Sequence, residues 1–232
     1  VSRSLPLANY LIERGHEIVV STYKETSAYN YIKNHLHRKG KLYGLEKLSW
    51  IFTPDGGINL AATALHSPLI TKIVCSHYLA EKRIFKKENP DLVISDMRFT
   101  PIFLAKRLRI PRIIISSFMK LPADYHSKLV NFSFMVFGLF ITYLQLKSNE
   151  ILHTDLEPPL SLYMWTFPKF LLENKKIRFI GPVLNKKLVE RVENTDPIKI
   201  RRQLKEKRNL NDKTTVLVIP SGAKESRIGT FN

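Results

Sequence analysis

An α/β fold, a parallel sheet with helices on both faces, is what this sequence predicts, and three observations predict it. Apolar runs of strand length occur at 17–22 (EIVVST), 92–95 (LVIS) and 112–116 (RIIIS). The segments between them carry apolar residues at helical spacing, as in Phe99, Phe103, Leu104 and Leu108. Residues 89–117, NPDLVISDMRFTPIFLAKRLRIPRIIISS, form a complete strand, helix, strand unit. Two apolar strands joined by a helix are parallel neighbours in a sheet covered on both faces.

In chain order, a helix opens the sequence, with Ser2 or Ser4 as its cap, Pro6 in its first turn, Leu7, Leu11 and Ile12 on its apolar face, and Arg14-Gly15 as its stop. It feeds the strand at 17–22, and a helix that feeds a parallel strand normally follows another strand, so one is expected upstream of Val1. A helix is predicted over 24–36 and a strand over 45–52, leading to the turn Thr53-Pro-Asp-Gly-Gly57. There Asp55 and Gly56 allow either a plain surface turn or close approach to a ligand. Residues 58–87 read as a long helix interrupted at Pro68, with Leu69, Ile70, Ile73, Val74, Tyr78 and Leu79 apolar. In parallel sheets ligands sit beyond the carboxyl ends of the strands, and Asp96, Ser116 and Ser117 stand there. For Asp96 a cap on the following helix is the competing reading.

Residues 129–146 contain no charge and are flanked by Lys128 and Lys147. This length is the lower limit of a membrane span, but Asn131, Ser133, Thr142 and Gln145 dilute it, and a buried or interface-seated helix is expected. With Phe132, Phe134, Phe137 and Phe140 between its lysines, it suits contact with an anionic membrane surface. A short strand follows at 151–153, then an irregular segment around Pro158 and Pro159, then a strand at 177–182 closing in a Gly-Pro turn. The stretch 185–197 reads as a linker and 198–208 as a basic helix. TTVLVIP at 214–220 reads as the first strand of a second domain, running into Ser221-Gly222. The expected division is therefore 1–184, 185–213 and 214–232.

The 37 basic and 20 acidic residues leave a net charge of +17, which predicts an anionic partner. The basic residues fall in separate runs at 82–87, 106–112, 186–191 and 199–208 with no nucleic-acid motif beside them, so nucleic acid is not the expected partner. Cys75 is the single cysteine; it excludes an internal disulfide and a cysteine-cluster metal site and points to a reducing, cytoplasmic setting. His35 and His37, the close histidine pair, do not have ligand spacing, so neither metal nor cofactor is expected.

Four segments carry a resemblance. SRSLPLANYLIERGHEIVVST resembles the opening of two-domain GT-B glycosyltransferases, and PDLVISDMRFTPIFLAKRLRIPRI resembles the middle of their N-terminal domain. KIRFIGPVL resembles the segment that closes that domain, and VLVIPSG the first strand and loop of the nucleotide-sugar domain. The pattern spans residues 2 to 222 in order and is most similar to the group of family 28 and the UDP-glycosyltransferases. The resemblance implies a Rossmann-like N-terminal half of a GT-B fold, with its first strand missing and only the start of the second domain present. It further implies transfer of a sugar from a nucleotide-diphosphate donor to the hydroxyl of a glycan, lipid or small molecule, and the +17 charge with the apolar 129–146 helix suits a cytoplasmic enzyme peripheral at the inner face of the membrane. Asp96 matches the aspartate that orients the family's catalytic histidine, which would lie before Val1. Ser2, Arg3 and Ser4 match the helix start after the glycine-rich loop, a place that favours an anionic group. With Asp55, Gly56, Arg98 and Ser117 they make up the expected substrate-binding set. Ser221 and Gly222 match the donor-side loop. Most donor-binding residues fall beyond this chain, so the fragment is expected to be inactive by itself. Two other readings remain open: a UDP-GlcNAc 2-epimerase on the same fold, and a basic module that binds anions or a membrane surface.

Overall fold

The computed structural model describes residues 3–47, 67–117, 128–161 and 171–183, with single positions between 189 and 206. The chain divides into two compact units, one of Val1–Glu46 with Val74–Val183 and the other of Lys47–Ile73 with Leu184–Asn232. All the described strands belong to the first unit.

Helix α1 (Ser4–Glu13) buries Leu5, Ala8 and Ile12, positions that share one face, and stops at Gly15, whose φ of +91° is the left-handed value glycine tolerates. Arg3, rather than a serine, holds the N-cap position, and it makes no side-chain capping bond. The Ser4 hydroxyl is used elsewhere, as described below. Strand β1 (Val19–Tyr23) follows, then α2 (Ser27–His35), capped by Thr26, whose hydroxyl accepts from the Tyr29 amide at 3.0 Å. Asn9 of α1 reaches across to this region: its amide donates to the His35 carbonyl at 3.0 Å and its carbonyl accepts from the His37 amide at 2.9 Å.

Strand β2 is Lys41–Leu45, ahead of the 45–52 expected from the sequence. Its lysine and glycine disguise it, yet it pairs with β1 in parallel from Val19↔Lys41 to Tyr23↔Leu45. A Cβ at Gly44 would lie 2.3 Å from Lys24 Cγ, so the Lys24 side chain occupies the space that a larger residue would take. Helix α3 is described over Ser67–Glu88, with Pro68 in its first described turn, and the expected stretch 58–66 ahead of it lies outside the described residues. Of its apolar residues Ile73 is buried while Leu69, Val74 and Leu79 are exposed, and His77 and Glu81 are buried beside it.

The central unit has the predicted form: β3 (Val93–Asp96), α4 (Thr100–Arg107) and β4 (Arg112–Ser116). Helix α5 (Lys128–Gln145), β5 (Glu150–His153) and β6 (Ile177–Phe179) complete it. The four strands form one parallel sheet in the order β3-β4-β5-β6, with Val93 beside Arg112, Ile113 beside Glu150 and Ile151 beside Ile177. Its core is Ile102, Ile114, Ile151 and Leu171, packed by Phe99, Leu146, Ile177 and Phe179. The last carbonyls past α5 are satisfied from the sheet: Arg112 Nε donates to the Lys147 carbonyl at 2.6 Å and Lys176 Nζ to that of Leu146 at 3.2 Å. Gly181, with φ of +67°, makes the turn expected after the last strand. Among the described residues no helix is long and apolar enough to cross a membrane. Among them, too, β1 pairs only with β2, so the first unit holds a two-stranded and a four-stranded sheet.

Candidate functional site

Three neighbouring strands end at the same level, because Asp96 lies beside Ile115 and Ser116 beside His153 in the register. The residues at those ends are Asp96, the last of β3, Ser117 after β4 and Thr154 after β5. Helix α1 brings Arg3 and Ser4 to them. Arg3 Nε lies 3.0 Å from Asp96 Oδ1 and 3.1 Å from Oδ2, and its Nη2 donates to Oδ1 at 2.5 Å. Its Nη1 donates to the Ser117 hydroxyl at 2.5 Å and to that of Thr154 at 2.9 Å. The Ser4 hydroxyl donates to Asp96 Oδ2 at 2.5 Å. Such a fork of guanidinium donors around one carboxylate fixes both partners' orientation as well as their charge.

Asp96 is therefore not the cap of α4; Phe99 holds that position, without a side-chain capping bond. Burial by itself would raise the Asp96 carboxyl, but hydrogen bonds from Arg3 and Ser4 and the charge of Arg3 outweigh it and hold the group below the ordinary carboxylate range. The carboxylate is kept ionised at the mouth of the sheet. Beneath it, His153 is buried and meets Phe179 edge-on, ring centroids 5.2 Å apart. Burial pushes its imidazole below the usual value, against the opposing influence of the Asp155 charge and the Ser116 backbone.

Arg98 is not brought to this cluster. Met97, with φ of +56°, turns the chain after β3, and Arg98 donates through Nη1 to the Ser21 carbonyl at 2.9 Å and through Nη2 to Glu81. Its guanidinium lies 5.2 Å from the centroid of the Tyr23 ring, and His77 stacks on that ring at 5.2 Å. Donors of Arg98 are thus used inside the fold, between β1 and α3. Ser2, Asp55, Gly56, Ser221 and Gly222 lie outside the described residues. Thr154 and His153 were missed in the sequence, although the rule that singled out Asp96 applies equally to the end of β5.

Among the described residues no group of three histidine, cysteine or acidic side chains could hold a metal ion. The cluster offers a fixed carboxylate, a guanidinium and a hydroxyl from a helix start, and two hydroxyls from strand ends. Those groups position and stabilise; they do not include an activated nucleophile.

No family model matches the chain, and no curated protein matches it. Solved structures do. The chain is similar to UGT2 of Phytolacca americana complexed with UDP-2-fluoro-glucose and pterostilbene, at 11% identity and a TM-score of 0.49 over 84% of this chain and 54% of that one. It is similar to a UDP-glucosyltransferase from Polygonum tinctorium capable of glucosylating indoxyl, at 11% identity and 0.47 over 85% and 53%. It is similar also to the calicheamicin glycosyltransferase CalG4, at 18% identity and 0.45 over 80% and 49%. The chain spans about half the length of these proteins. At such scores the likeness carries no argument about the reaction, nor does it separate family 28 from the UDP-glycosyltransferases.

Proposed function

We propose that this chain supplies the acceptor side of a glycosyltransferase that moves a sugar from a nucleotide-diphosphate donor to the hydroxyl of a glycan, a lipid or a small molecule. The observation that carries the reading is Asp96, held ionised by Arg3 and Ser4 at the carboxyl ends of a parallel sheet. It occupies the position that the sequence resemblance gives to the partner of a catalytic histidine. A carboxylate in that role fixes the imidazole tautomer and stabilises the imidazolium that forms as the acceptor hydroxyl gives up its proton. It must not itself take the proton, and a carboxyl held below the ordinary range meets that requirement. Arg3, Ser117 and Thr154 offer donors and hydroxyls to an oxygen-rich acceptor or to the charge that develops on it. Ser221 and Gly222 belong on the donor side, and the complete reaction needs the histidine and the rest of the donor domain.

The test is sugar transfer from a panel of UDP-sugars by this chain and by the chain extended upstream by a strand and downstream by a full second domain. Transfer is expected from the extended protein only, with Asp96→Asn lowering kcat by roughly two to four orders of magnitude, the scale seen when a histidine loses its orienting carboxylate. Isomerised UDP-sugar without transfer would assign the fold to a 2-epimerase instead.

A further inference from the structure

Helix α5 has two opposed faces. Gly138, Ile141, Thr142 and Gln145 are buried on one, and the Thr142 hydroxyl donates back to the Gly138 carbonyl at 3.0 Å. On the other, Phe132, Met135, Val136, Leu139, Phe140 and Tyr143 recur at intervals of three and four, and each is between 49% and 59% exposed. At 100° per residue these six side chains cover an arc of about 140° along most of the length of the helix. A stripe so continuous is not the scatter of single apolar residues found on any protein surface.

The rim of the stripe says what covers it. Lys128 and Lys147 bracket it, Lys147 Nζ lies 3.8 Å from the centroid of the Tyr143 ring, and Lys106 of the adjoining α4 is close enough to act on the Tyr143 hydroxyl. From Lys128 to Asn149 the chain carries no acidic residue. Two copies of this face packed antiparallel would set Lys128 against Lys147 with no carboxylate to pair either. Anionic head groups neutralise both, and an ammonium seated on the aromatic ring at the edge of an apolar stripe is placed at the level where head groups meet acyl chains. The helix is about 27 Å long at 1.5 Å per residue and has a buried side, which suits lying along a bilayer and not crossing it.

We propose that the exposed face of α5 seats in the interface of an anionic lipid bilayer, with Phe132, Met135, Val136, Leu139, Phe140 and Tyr143 among the acyl chains and Lys128, Lys147 and Lys106 among the head groups. The proposal stands apart from the sugar-transfer reading, and either can fail without the other. The test is co-sedimentation of the full chain with phosphatidylcholine vesicles and with vesicles containing one-third phosphatidylglycerol. Binding to the anionic vesicles is expected, weakened by salt, and reduced at least tenfold in Leu139→Ser/Phe140→Ser with an unchanged far-ultraviolet circular dichroism spectrum. A second variant, Leu139→Trp, keeps the face apolar; its emission, as a difference from the parent protein, is expected to shift to the blue on anionic vesicles alone. Equal binding by the double-serine variant, an unshifted Leu139→Trp spectrum, or equal binding to neutral vesicles would overturn the proposal. So would a concentration-dependent dimer that the serines abolish and vesicles do not displace.

Discussion

Arg3 and Asp96 define each other's state, and cutting one partner exposes the other. With a native pKa below the ordinary range, Asp96 contributes stability that is complete above the unfolded carboxyl's pKa and is lost as pH falls through the native value. In Arg3→Ala the carboxyl keeps its partial burial but loses its cation, so its titration, followed by NMR, is expected to move upward. Acid unfolding should begin at a higher pH, and Arg3→Ala/Asp96→Asn should cost less than the sum of the single changes. His153 works in the opposite pH range. Its native pKa is lowered, so the unfolded chain takes up a proton first as pH falls below about 6.5, and stability declines from there toward the native value. Replacing it in His153→Gln should flatten that decline in urea titrations between about pH 5 and 7. Asp96 and Ser117 were legible because they end apolar strands, and Arg3 and Ser4 because they begin a helix in the matching segment. The bonds among them were not, since 93 positions separate Arg3 from Asp96 and only the sheet register brings them together.

Elements were legible where apolar spacing is strong. The 112–116 strand has the expected bounds, and β3 and α5 are displaced by one residue. What they bury was illegible where polar contacts replace apolar ones. Helix α3 buries His77, which donates to the Glu46 carbonyl at 2.8 Å, and Glu81, whose carboxyl is raised by burial against the pull of Arg98. The helix itself was expected, but a hydrophobic pattern cannot show that an ion pair and a histidine anchor it. Strand β2 was misplaced for a related reason, since its ladder with β1, and not its composition, makes it a strand. Breaking one side of a buried pair leaves an uncompensated charge, so Arg98→Met is expected to destabilise the protein by about 3 kcal/mol in chemical denaturation. Arg98→Met/Glu81→Gln should recover much of that loss, which would show the cost to be the stranded carboxylate and not the missing arginine.

At the scale of the molecule, the parallel α/β architecture followed from the order of apolar runs, and the division of the first unit into two sheets did not. A two-stranded ladder is marginal without neighbours, and here Arg98, Glu81, Tyr23 and His77 reinforce it from the side. Hydrogen exchange is expected to protect the amides of β4 and β5 more than those of β1 and β2, and Arg98→Met should widen the difference. Equal protection in both sheets would mean that they open together.

Helix α1 spans these two regions: Arg3 at its start grips the strand ends of the larger sheet, and Asn9, two turns on, grips the His35 carbonyl and the His37 amide. A rigid rod held at its start and again at its middle works as a lever. Whatever draws the arginine away from its carboxylate also tugs the loop after α2, so an event at the mouth of one sheet is announced beside the other. The amide resonance of His37, which Asn9 holds, is a natural indicator light for that event.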